Sequence, residues 1–159
     1  MNNRIILLFF LIASVSCTYN NVQLEKKGIN PTEPEKWQLV QMSGNIANVP
    51  PVTGSDMEWQ EWYVLYPDHT FIKTRVRNNA TTSADGSYSL VTLSGEQFLE
   101  LTYPSGNELI GNCSAETKEL LVIKSDDELA STWQMCDGPG LIYKKEKSND
   151  KPEKSGRKS

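Results

Sequence analysis

Histidine is nearly absent from this chain of 159 residues: His69 stands alone, and there are only three cysteines. That scarcity removes most routes to an enzyme site, because a nucleophile with its base and orienting partner, or a metal shell, draws on imidazole and thiolate. Two cysteines and one histidine offer no metal-ligand spacing of a known kind, so neither a metal nor a cofactor is expected. Carboxylates are plentiful, but Asp126, Asp127 and Glu128 form a turn cluster without the separation that glycoside hydrolysis requires. Catalysis is therefore not expected. Basic charge is also sparse where it would matter for nucleic acid: Lys36 to Tyr143 carries six basic and fourteen acidic residues, the reverse of a nucleic-acid footprint. From Cys17 onward there is no amphipathic helical pattern either, which excludes a helical bundle.

What the chain does have begins at its N-terminus. Met-Asn-Asn-Arg is followed by an apolar run from Ile5 to Ala13 and then by Ser14-Val15-Ser16-Cys17, the charged, apolar and small-residue order of a secretory signal. The run is too short to span a bilayer permanently. A cysteine directly after the small residues resembles the bacterial lipobox. That resemblance implies cleavage after Ser16, lipidation of Cys17 and an address in the cell envelope, with the membrane reached through the lipid. Cys17 being consumed in this way leaves Cys113 and Cys136 as a pair in an oxidising compartment. A disulfide between them closes a loop of about 23 residues, for which chain entropy gives about 3 kcal/mol.

Composition divides the rest. Residues 1–16 read as signal and 17–35 as lipidated cysteine and polar, Pro-containing tether. Residues 36–145 read as one domain with one modest core. Residues 146–159 are Lys-rich and nearly free of apolar side chains, as in a disordered basic tail.

Within the domain, nine segments read as strands separated by turns. They are Lys36–Met42, Trp59–Tyr66, Thr70–Arg77, Asp85–Thr92, Gln97–Tyr103, Glu108–Cys113, Lys118–Lys124, Glu128–Met135 and Leu141–Lys145. Between Ser43 and Glu58 lie two prolines and two glycines, so this stretch is expected to be a long irregular loop, the kind that often forms a lid. In Thr70–Arg77, Phe71, Lys73, Arg75 and Arg77 share a face. If that face is the inside of a barrel, its cations are placed to receive an anionic head group; if it is the outside, they are solvated. The cost of burying an unpartnered charge favours the outside. An antiparallel meander of this length must close or split, since open edges invite aggregation. The expected fold is all-β, an up-and-down meander closed into a barrel of about eight strands, with one of the nine segments a bend or short extra.

The chain resembles lipocalin-like domain lipoproteins of the Bacteroidetes type, the broad group rather than classical lipocalins. The residues that carry the resemblance are the lipobox and a first strand with Lys36-Trp37-x-Leu39. To these are added Phe71-x-Lys73-Thr74-Arg75 after a Pro67-Asp68-x-Thr70 turn, Gly86-x-Tyr88, and a closing strand with Tyr143. His69 stands where glycine commonly follows aspartate in such turns, so it is expected to be a turn residue and not a base.

Two functions are consistent with these observations. The first is a non-enzymatic binding module whose barrel mouth, closed by the Ser43–Glu58 loop, holds a small hydrophobic or amphipathic ligand near Trp62, Tyr66, Arg75 and Tyr88. The second is a protein-interaction module, a periplasmic inhibitor or envelope assembly factor, for which an acidic body suits a basic partner. Asn107 to Lys145 organises the domain, because both paired cysteines fall within it. Alternate strands of a meander lie about 9.5 Å apart, farther than a disulfide spans. Cys113 or Cys136 must therefore sit in a loop at one rim, tied to the turn that starts the last strand.

Overall fold

A computed structural model describes residues 29–44, 49–114 and 116–147. The signal, Cys17, most of the tether and nearly all of the basic tail lie outside the described residues. Nine antiparallel strands run in the order β1 (Glu35–Ser43), β2 (Val52–Thr53), β3 (Gln60–Leu65), β4 (Thr70–Arg77), β5 (Ala80–Leu93), β6 (Glu96–Thr102), β7 (Lys118–Ser125), β8 (Glu128–Ser131) and β9 (Gly140–Lys145). Consecutive strands from β3 to β9 pair with one another, and β1 pairs with both β3 and β9, so eight strands close into a barrel with β2 added at the edge of β1. The fold is the closed all-β meander expected from the sequence.

Four segments differ from expectation, the first being Glu128–Met135, which is a strand only as far as Ser131 and then becomes the turn of 3-10 helix Trp133–Cys136. Glu108–Cys113 is not a strand: Leu109 and Ile110 interrupt the alternation, and the segment's carbonyls serve side chains instead of a ladder. Strand β5 begins five residues earlier than Asp85, because Asn78 and Asn79 both take positive φ and make a two-residue hairpin in which Arg77 pairs with Ala80. The Ser43–Glu58 stretch is not wholly irregular, since beyond its two prolines Val52 and Thr53 pair with Met42 and Gln41.

Eight strands leave an interior just wide enough to be filled by side chains. Trp37, Leu39, Tyr63, Leu65, Phe71, Leu99, Leu101, Leu121, Leu129 and Tyr143 fill it, each essentially without exposure. Tyr63 meets Tyr143 edge-on at 5.0 Å, and Phe71 meets Tyr103 in the same way at 5.0 Å. Gly86 on β5 lies opposite Phe71, and a Cβ there would collide with the Thr102 carbonyl and the Phe71 ring. Its missing side chain is what lets β4, β5 and β6 close up at this point.

Because the strands alternate in direction, the β1–β3, β4–β5, β6–β7 and β8–β9 connections share one rim, called here the upper rim. The β6–β7 connection, residues 103–117, turns inward across it. Leu109 is buried, and Asn112 Nδ2 donates to the carbonyls of Glu116 and Lys118 at 2.7 and 2.6 Å, holding the segment folded on itself. The disulfide joins Cys113 of this plug to Cys136, which ends the single turn of 3-10 helix Trp133–Cys136 before β9, with Cα atoms 5.4 Å apart. Both cysteines lie in rim loops, so the geometric expectation of at least one is met.

Candidate functional site

The Phe71, Lys73 and Arg75 face of β4 points into the barrel, not outward. The expectation of a solvated cationic face is corrected by the partners that two other strands supply. Glu61 on β3 and Glu119 on β7 are both fully buried, and with Lys73 and Arg75 they form a cluster of zero net formal charge. Removing each ion from water costs several kcal/mol, so such a cluster persists only if its donors and acceptors are matched. Lys73 Nζ donates to the Leu109 carbonyl at 2.6 Å and to both Glu119 oxygens at 3.1 Å, and stands 3.3 Å from Glu61 Oε1. Arg75 Nε donates to Glu61 Oε2 at 2.5 Å.

Tyrosines complete the matching. The Tyr143 hydroxyl donates to Glu61 Oε1, Tyr63 to Glu119 Oε1 at 3.0 Å, and Tyr103 to Glu119 Oε2 at 2.7 Å. Every carboxylate oxygen thus has a donor. Burial first, and the neighbouring carboxylates second, push the pKa of all three phenols up: Glu119 acts on Tyr63 and Tyr103, and Glu61 and Glu119 on Tyr143.

One donor group in this cluster is unmatched. Arg75 is 8% exposed, and its Nη2 is buried without a hydrogen-bond partner, while Nη1 reaches the Glu108 carbonyl only at 3.5 Å. Trp59 lies against the guanidinium, 4.5 Å from ring centroid to Cζ, and Arg77 stands 5.5 Å from the same ring. Arg75 and Arg77, with Asn78, Ala80, Thr82, Glu108 and Leu109, wall a cleft of about 300 Å³ at the upper rim. Arg77 is paired with Glu58, and both are half-exposed.

The four residues expected at one mouth are not brought together. Arg75 is in the upper-rim cleft. Trp62 is on the outer wall, where Lys36 Nζ lies 5.2 Å above its ring. Tyr66 and Tyr88 meet at the opposite rim, where the Tyr88 hydroxyl donates to the Tyr66 carbonyl at 2.7 Å. His69 sits in the β3–β4 turn with φ of 64°, donating its N–H to the Tyr66 carbonyl, so it is a turn residue as expected.

Glu61, Trp59 and Glu119 were not anticipated, although a signal for them existed. Glu61 shares its strand face with Trp59, Tyr63 and Leu65, and Glu119 shares its face with Leu121 and Ile123. An acid on an otherwise apolar face, twice, matches Lys73 and Arg75, the two of the three bases on the Phe71 face that are buried.

A second, larger depression of about 520 Å³ lies on the outside of β6 and β7 beside the disulfide, with Leu93, Phe98, Leu120 and Met135 among its walls. Met135 is 81% exposed. Among the described residues, no group of three His, Cys, Asp or Glu side chains could hold a metal ion, and no helix is long and apolar enough to cross a membrane. No family model, curated protein or solved structure matches this chain.

Proposed function

We propose that the protein is a bacterial envelope lipoprotein, held to the membrane by lipid on Cys17, whose barrel is a non-enzymatic binding module for a small amphipathic molecule. The observation that carries this function is the upper-rim cleft, of a size for a small ligand, lined by apolar Ala80 and Leu109 together with the cations Arg75 and Arg77. The ligand sits at the mouth and not inside, because side chains fill the interior. A non-enzymatic role fits the ion cluster, whose acids are neutralised and shut away from any substrate.

The test is to isolate the full chain from envelope membranes, extract it gently and weigh it under native conditions. A diacylglycerol-bearing Cys17 and a small-molecule adduct lost on Thr82→Trp, which fills the cleft, are expected. An adduct that survives Thr82→Trp, or none at all, overturns the cleft as the site. The exposed groove around Met135 favours a second function, protein interaction through the outer wall. Capture of one partner through high salt, abolished by Met135→Asp, supports it.

A further inference from the structure

We infer, granting that the rim cleft is where a ligand sits, that it selects an oxyanion head group, a carboxylate or phosphate, held on the terminal edge of Arg75 with Arg77 as second cation. A guanidinium has five N–H donors in a planar fork, and its two terminal nitrogens match two acceptor oxygens side by side. In Arg75 the Nε is taken by Glu61, and Trp59 lies against the group. What remains is the terminal edge, with no partner for Nη2 and a contact at the outer limit of hydrogen bonding for Nη1.

A buried donor left unmatched is costly, and a charged one more so, in a cluster where every carboxylate oxygen has its donor. A neutral ligand oxygen satisfies one such N–H; an oxyanion satisfies the fork.

Arg77 follows two residues later on the same face of β4 and walls the same cleft. Its partner, Glu58, is a half-exposed carboxylate, and pairs of that kind exchange readily because water screens them. Glu58 is thus an internal stand-in for the ligand's acid. Its removal frees Arg77 for a ligand.

The experiment titrates the full chain, by tryptophan fluorescence, with octanoate, octyl phosphate, octanol, octyltrimethylammonium and dihexanoyl phosphatidylglycerol. The acids are expected to bind at least about tenfold more tightly than octanol, the equivalent of one charged hydrogen bond, and the ammonium weakly or not at all. Arg77→Gln should weaken acid binding several-fold while leaving octanol unchanged, since the Arg75 fork remains, and Glu58→Gln should strengthen acid binding several-fold. Both positions are exposed enough to leave the thermal midpoint near that of the parent. Arg75 is left intact, because its loss would strand Glu61. Selective binding of octanoate assigns a soluble acid; binding of the phosphatidylglycerol, weakened in Arg77→Gln, assigns a lipid head group. Octanol binding as tightly as octanoate, unchanged in Arg77→Gln, overturns the oxyanion while leaving the cleft as a binding site. Failure of every probe at millimolar concentration overturns both.

Discussion

Lys73 and Glu119 lie on β4 and β7, strands that are not neighbours in the sheet, yet the ammonium stands 3.1 Å from both carboxylate oxygens inside the barrel. The contact crosses the interior and is made at zero exposure of either side chain. Three further consequences of this interior and of the plug above it can be measured.

Lys73→Met leaves two buried carboxylates with Arg75 as the one cation bonded to either of them among the described residues. The expected loss is about 3–5 kcal/mol in urea denaturation at neutral pH, the usual cost of breaking a buried pair from one side. Adding Glu119→Gln removes the stranded charge, so the double variant should be more stable than the sum of the single losses by about 1 kcal/mol or more. Strict additivity would show that the two groups are not coupled.

Tyr63, Tyr103 and Tyr143 carry raised pKa values, burial being the main cause. In the unfolded chain a phenol ionises near pH 10, so above that pH the unfolded state releases protons that the folded state keeps. Their contribution to stability is fully present below about pH 10 and is lost as pH rises beyond it. Ultraviolet titration at alkaline pH should find these three phenols silent until the far-ultraviolet circular dichroism collapses. Smooth ionisation of all tyrosines with the fold intact would contradict the buried network.

Cys113→Ser with Cys136→Ser, or reduction of the disulfide, should cost about 3 kcal/mol by chain entropy for a loop of this length. Amide exchange gives the sharper readout. Acceleration should concentrate in residues 103–117, since the disulfide ties that plug to the β8–β9 connection, while β3 and β4 stay protected. Uniform acceleration across the barrel would mean that the disulfide holds the whole sheet and not the plug.

The strands were legible where period-two alternation was unbroken, as in Phe71 to Arg77 or Leu99 to Tyr103, because one face of each had to be buried. Closure into about eight strands followed from the need to hide sheet edges. The ion cluster was not legible, for a physical reason: the face of β4 was visible as Phe71, Lys73 and Arg75, but whether it points in or out depends on acids contributed by β3 and β7. Sequence order says nothing about which strands face each other across a closed barrel. The cost of an unpartnered charge pointed outward, and Glu61 and Glu119 reversed the balance. The plug was missed for a related reason. Glu108 to Cys113 has the composition of a strand, but Lys73 needs the Leu109 carbonyl that a ladder would have consumed. Of the expected ligand residues only Arg75 lines the upper-rim cleft; alternation sends Trp62 outward, and strand length carries Tyr66 and Tyr88 to the other end.

Strand β1 pairs on one side with β3 and on the other with β9, from Trp37 opposite Lys145 to Ser43 opposite Gly140, with a register shift between Leu39 and Gln41. The seam therefore joins the first strand of the domain to the last, more than a hundred residues away. Folding cannot be completed by local hairpins, however quickly they zip, and the long-range closure should set the rate. During synthesis Trp37 and Leu39 emerge first yet wait longest for shelter, so an incomplete chain exposes an unsatisfied edge until its final six-residue strand arrives.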